Sequence, residues 1–418
     1  MAEIFRGDDD DVVAGTQGAD SIRGGGGDDT VDGLGGGDGL DGGDGDDRLR
    51  GGSGNDTIVG GGNGADGLEG GSGDDDLDGA NNDDTLIGGT GADNLVGGTG
   101  SDLLRGGDDD DTLAGGPDSD EIFGGGEDDL ILLRAGDGED KIDGGDGEDT
   151  LQAFGSDTER NLVSFGEGDG DRLLLDIRER TASPPFPVTA RVDGLDGVEA
   201  VQLFGGADDD QFTIGPLSAG RFTSIRISMG AGDDDVFGNG GPLDVDRNEV
   251  PLDVSGGQGD DFVLGSFGDD TIDGGFDDDR LDGEVGDDLL LGGQGDDTLD
   301  GGFNGTDTLD GGAGSDVLIG GARDLFTDTF RFTFGAGQGV DDIQDFEADN
   351  RIEIRGATQA QLDSNSDGVL DNADAAVFAG GGILQISGLF PLTGTLRVAG
   401  AGGAALNQLV IGDDVFFL

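Results

Sequence analysis

The chain has 418 residues, with 94 Asp and Glu against 21 Lys and Arg for a formal charge of -73, together with 94 Gly and no Cys, His, Trp or Tyr. Such self-repulsion keeps an uncompensated chain expanded, and an acidic surface of this kind excludes phosphate recognition and so nucleic-acid binding. The absence of His and Cys excludes zinc-protease motifs, thiolate metal sites and imidazole-based triads, and leaves divalent cations as the expected partner.

The amino terminus, MAEIFRGDDDDVV, has one Arg and no apolar stretch before the acids start at Asp8, which is not the pattern of a secretory signal peptide. No run of about 18 apolar residues occurs, so no membrane-spanning helix is expected. From Arg6 to Gln152 the chain reads as sixteen copies of G-G-x-G-x-D-x-U-x, with U apolar, slipping one residue at Gly60 and two at Leu133 and Arg134. Position six is Asp throughout: Asp11, Asp20, Asp29, Asp38, Asp47, Asp56, Asp66, Asp75, Asp84, Asp93, Asp102, Asp111, Asp120, Asp129, Asp140 and Asp149. Position eight is Val, Ile or Leu from Val13 to Leu151, and position four is Gly except at Asp9, Asn82, Asp109, Asp118 and Glu127.

A period of this kind is the mark of a solenoid. Glycine takes positive φ without steric cost, so the first six positions make a turn. The last three make a short strand whose middle side chain points to one face. Such a strand buries nothing alone, so copies must stack. Two copies close one flattened coil, with a strand on each side and the position-eight side chains inside. Stacking then sets position-six carboxylates and glycine-turn carbonyls in rows about 4.8 Å apart, where unneutralised carboxylates repel. Calcium, with six to eight oxygen ligands at about 2.3 to 2.6 Å in irregular geometry, suits these rows better than octahedral magnesium.

Residues 153–255 break the phase and carry three of the eight prolines in TASPPFPV. Asp171, Asp210 and Asp234 still stand two before an apolar residue, so irregular solenoid coils with longer excursions are expected, with a separate domain as the alternative. Seven further copies begin at Gly256, with position-six Asp261, Asp270, Asp279, Asp288, Asp297, Asp307 and Asp316. After residue 320 the pattern breaks into RDLFTDTFRFTFGAGQGVDDIQDFEADNRIEI. DSNSDGVLDNAD, residues 363–374, has the spacing of an EF-hand-type calcium loop: Asp363, Asn365 and Asp367 at positions one, three and five, Gly368 at six, Val369 at seven and Asp374 in place of the usual Glu. The chain ends IGDDVFFL, which reads as a last strand or as a secretion signal.

In its nonapeptides the chain resembles the repeats-in-toxin (RTX), or hemolysin-type calcium-binding, family over about 210 residues. The resemblance implies an all-β fold, a parallel β-roll or β-solenoid, in which the position-six Asp side chain and the glycine-turn carbonyls ligate calcium. That role carries over to Asp20, Asp29, Asp38, Asp47, Asp56, Asp66, Asp75, Asp93, Asp102, Asp140 and Asp149, and to the seven aspartates of the second block. It carries over less securely to Asp11, Asp84, Asp111, Asp120 and Asp129, whose copies lack the position-four glycine. The family also implies export as an unfolded chain through a one-step channel, the type I secretion machinery, and folding in calcium-rich medium. The stretch after residue 320 resembles the carboxy-terminal module that follows such rolls in serralysin-type metalloproteases; without the protease domain, proteolysis is not implied.

The expected architecture is a first calcium β-roll at 1–152, irregular coils or a spacer at 153–255, a second β-roll at 256–330, and a β-rich C-terminal cap with the EF-hand-like loop at 331–418. The expected function is that of a secreted, extracellular calcium-binding protein and not an enzyme, with self-assembly or cell-surface contact left open. Two other readings are an extracellular carboxylate enzyme acting on polysaccharide with the rolls as scaffold, and a surface-layer or adhesive protein.

Overall fold

The computed structural model describes residues 3–156, 161–167, 173–179, 188–195, 197–215, 217, 222–238, 249–321, 326–333, 341–343, 351–355, 397–398, 408–411 and 414–417. Asp171 and the EF-hand-like loop at 363–374 lie outside the described residues. The fold is all-β, a mostly parallel β-solenoid, in two units, Met1–Phe204 and Gly205–Leu418.

In the first unit successive strands alternate between two parallel sheets. One contains Ser21–Gly26, Gly39–Asp44, Thr57–Gly61, Asp76–Asn81 and Asn94–Thr99. The other contains Thr30–Asp32, Arg48–Ser53, Gly67–Ser72, Thr85–Thr90 and Leu103–Asp108. Register pairs each position-eight residue with its equivalent in the next coil. Ile22, Leu40, Ile58, Leu77, Leu95 and Leu113 form one file, and Val13, Val31, Leu49, Leu68, Leu86, Leu104 and Ile122 the other. These side chains are no more than 3% exposed, and each contributes about 1.5 to 3 kcal/mol by burial. With one aliphatic residue per copy, the rest of the stabilisation must come from the backbone ladders and the turns.

The repeat predicts three-residue strands, yet many run to six. Beyond the aliphatic pair, the position-two glycine and the residue after it rejoin the ladder, as Gly89 does with Gly107 and Thr90 with Asp108 beside Leu86 and Leu104. The slips at Gly60 and at Leu133–Arg134 become coil steps of 19 and 20 residues in place of 18. The next coil is far longer: Thr150–Phe154 pairs in parallel with residues 200–204. Its excursion holds an antiparallel run of Asn161–Glu167, Leu173–Glu179 and Val188–Leu195, the last of which pairs in parallel with Gly138–Asp146.

The second unit repeats the plan. Ser224–Ala231, Leu252–Gln258, Thr271–Phe276, Leu289–Gln294, Thr308–Ala313, Thr329–Thr333 and Arg351–Arg355 pair in parallel in one sheet. Gln211–Ile214, Asp235–Phe237, Phe262–Leu264, Arg280–Asp282, Thr298–Asp300, Val317–Ile319 and Asp342–Ile343 do so in another. Coils therefore continue past residue 320, where the nonapeptide fades, and Phe330 and Ile343 take fully buried places in the aliphatic files. In the final stretch Gln408–Ile411 and Asp414–Phe417 form an antiparallel pair, so IGDDVFFL contributes strand.

Candidate metal centre

Each position-six Asp leaves the glycine turn and enters the strand, and its side chain folds inward beneath the turn. Except at the head of a row, its Oδ1 accepts the backbone N–H of the equivalent Asp one coil earlier: Asp20 donates to Asp38, Asp38 to Asp56 and Asp75 to Asp93, each at 2.7 Å; Asp270 accepts instead from Leu252. Its carbonyl accepts an N–H from the following coil, as Asp38 does from Thr57 at 2.8 Å.

These bonds string the aspartates into rows. In the first unit one row is Asp11, Asp29, Asp47, Asp66, Asp84, Asp102, Asp120 and Asp140. The other is Asp20, Asp38, Asp56, Asp75, Asp93, Asp111, Asp129 and Asp149, and it passes to Glu199, whose Oε2 accepts the Asp149 N–H at 3.0 Å. In the second unit Asp210, Asp234, Asp261, Asp279, Asp297, Asp316 and Asp341 form one row, and Asp270, Asp288, Asp307 and Asp328 the other. The structure thus brings together every position-six Asp expected from the two blocks.

Asp84, Asp111, Asp120 and Asp129, set apart for want of a position-four glycine, are as buried and as well bonded as the rest. Their turns keep the glycine conformation without glycine: Asn82, Asp109, Asp118 and Glu127 adopt φ of 75°, 78°, 88° and 69°. Neighbouring coils pay that local strain, of order 1–2 kcal/mol per residue. Asp11, in the first coil, is only partly buried.

The second carboxylate oxygen is the informative one. In Asp29, Asp56, Asp84, Asp111, Asp279 and Asp316, among others, Oδ2 is buried and accepts no hydrogen bond. It stands over the position-one glycine of its own turn, together with the position-one carbonyl of the next coil on that side. A Cβ on Gly79 would lie 2.6 Å from Asp84 Oδ2 and 2.5 Å from the Gly97 carbonyl oxygen. One on Gly274 would meet Asp279 Oδ2 and the Gly292 carbonyl oxygen. The absent side chain leaves an oxygen-lined cradle. Among the described residues no three His, Cys or carboxylate side chains converge, so the donors are carboxylate and main-chain carbonyl oxygens. That set suits the large, irregular oxygen shell of calcium and not the nitrogen and sulfur preference of zinc.

From Asp38 and Asp47 to Asp297 and Asp316, burial pushes many of the row carboxylates upward, partly offset by the backbone N–H that each accepts, and neighbouring aspartates add to the rise. Asp75, Asp84, Asp111 and Asp120 rise to about 7, Asp140 and Asp279 to about 8, and Asp288 to about 9. Ionised rows at neutral pH therefore require a compensating positive charge.

The family description of the RTX calcium-binding nonapeptide repeat (4 copies) matches residues 5–40, 34–63, 41–77, 60–95, 96–131, 132–153, 255–290, 275–304 and 302–322, more than half of the chain. The chain belongs to this family. No curated protein gives a match to it. The residues present fit the ion the RTX repeat implies: Oδ2 of the position-six aspartates and the turn carbonyls would hold it. When bound, calcium supplies the charge that lets neighbouring carboxylates stay ionised. Glu199, Asp210, Asp234, Asp328 and Asp341 fall outside the RTX matches yet join the rows. The signal that finds them is the acid placed two before a buried apolar residue: Val201, Phe212, Val236, Phe330 and Ile343.

Proposed function

We propose that the chain is an extracellular calcium-binding protein whose coils close when calcium is abundant and open when it is scarce. The observation that carries this reading is the row of buried Asp Oδ2 atoms that accept no hydrogen bond. An acceptor-only charged oxygen is costly to bury without a partner, and an aliphatic file one residue wide leaves little to offset that cost. Binding to the folded form and not to the open chain then draws folding over by mass action. Extracellular modules work at about 10⁻⁴ to 10⁻³ M calcium, so the chain stays open in a cytosol and folds outside the cell.

RTX membership supports export by a type I route, which needs an unfolded chain. The position-six aspartates of both blocks are the ligands in this reading. In this reading the segment carrying Asp363, Asn365, Asp367, Val369 and Asp374 adds a further calcium site, and the chain beyond the last parallel coils blunts the end of the second roll. The repeats act as a calcium-set structure and catalyse nothing.

The test is far-ultraviolet circular dichroism of chelator-treated protein titrated with calcium, with magnesium as control. A cooperative coil-to-β transition near millimolar calcium, absent with magnesium, is expected. A full β signal at neutral pH in chelator would refute the reading.

A further inference from the structure

In the second unit, position three of successive coils projects from one turn edge. Its occupants are Gln258, Phe276 and Gln294, in register as Gln258 with Phe276 and Phe276 with Gln294, so their backbones stand about 4.8 Å apart. Phe276 is 50% exposed. Its backbone is held between two positive-φ residues, Gly275 at 112° and Asp277 at 74°. Around the ring lies a cleft of about 520 Å³ lined by Gln258, Phe276, Asp277, Asp278, Gln294 and Gly295. Asp278 is anchored there, its Oδ1 accepting the Asp296 N–H at 2.7 Å.

The lining offers one aromatic face, two amides and two carboxylates, with no cationic group. A phosphate or uronate would meet carboxylates without a compensating base. A purely apolar ligand would leave the amides and carboxylates desolvated and unpaired. A ligand that satisfies all of these groups has a flat C–H face for the ring and an edge of hydroxyls, which donate to carboxylates and accept from amides. A neutral pyranose has that form.

We propose that this cleft binds a neutral glycan by stacking a pyranose ring on Phe276 between the amides of Gln258 and Gln294. The inference rests on the calcium-folded second unit and adds a ligand to it.

The full chain in millimolar calcium is run through native gels cast with dextran, galactomannan or a soluble β-glucan, with polygalacturonate as the anionic control. Retardation by at least one neutral polysaccharide and none by polygalacturonate is expected. Phe276→Ala removes the retardation, whereas Phe303→Ala, at a 64% exposed ring outside the cleft, leaves it intact. Gln294→Leu, which keeps the ring and deletes one amide, weakens binding several-fold and serves as the test if Phe276→Ala alters the fold. No retardation by any of the three neutral polysaccharides overturns the proposal. So does retention of binding in a folded Phe276→Ala chain, or undiminished binding in Gln294→Leu. Circular dichroism of the same samples separates the two readings: a β signal that needs calcium alongside failed binding sinks only the glycan site.

Discussion

Asp111 offers the sharpest comparison, because its turn lacks the glycine that the repeat places at position four. Its Oδ1 accepts the Asp93 N–H at 2.8 Å, and its Oδ2 is buried over the turn without a donor. Asp111→Ala removes that acceptor and strands a buried N–H, a cost of about 1 to 3 kcal/mol. At about 2 kcal/mol the folded-to-unfolded ratio falls roughly thirtyfold, and the loss grows with calcium because one ligand oxygen goes too. Asp93→Ala, in a copy with Gly91 at position four, should cost the same, since Asp75 loses an acceptor at 2.7 Å. Asp111→Asn separates the two contributions: the amide oxygen can still serve Asp93, so calcium affinity falls while the calcium-free chain at acid pH is spared. Urea midpoints at saturating calcium and calcium midpoints by circular dichroism read both. If Asp111→Ala costs less than about 0.5 kcal/mol while Asp93→Ala shows the full loss, turns without the position-four glycine are idle and the equivalence drawn from their geometry is wrong.

Acid should substitute for calcium. Many row carboxylates rise in the folded state, Asp47 from an ordinary 3.8 to about 6, Asp84 to about 7 and Asp288 to about 9, so protons favour folding. Their contribution is fully present below about 4 and is lost as pH climbs through about 6 to 9. Chelated protein should therefore gain β signal on acidification, and a chelated chain equally unfolded at pH 4 and pH 8 would refute this. Glycines should differ sharply by place: Gly43→Ala, at φ 114° with a Cβ driven into the Gly25 carbonyl, costs more than the 1–2 kcal/mol of the left-handed conformation alone. Gly126→Ala, with open space around its Cβ, leaves the urea midpoint within about 0.5 kcal/mol of the parent; equal effects at the two sites would contradict the stacked-turn geometry.

The fold was legible where one physical demand recurs in fixed phase. Asp56 and Ile58 announce their places because every coil needs an acid under the turn and an aliphatic residue in the file. The same demand placed Asp328 in a row and Phe330 in a file, but there the glycines that make the turn recognisable are gone, and only the two-residue spacing survives. The turn itself does not need the position-four glycine: Asp109 and Glu127 hold φ of 78° and 69° because the coils before and after fix it. Strand length was under-read, since pairing of Gly89 with Gly107 depends on the neighbouring coil and not on local propensity. The steps of 24 and 27 residues at Asp234 and Asp261 left no period to read.

The alternation of sheets in the first unit gives the chain a parity. Removing eighteen residues would take out one whole storey and leave every downstream strand on its own side. Removing nine would exchange left for right: Leu104 would inherit the file of Leu95, and each acid row would be spliced onto the other. Single-residue insertions such as the one at Gly60 do no such thing, because the turn takes up the slack before the next strand begins. Lengthening or shortening by whole pairs is therefore the natural currency of change in this unit, and the length of each acid row is set by how many storeys the unit contains.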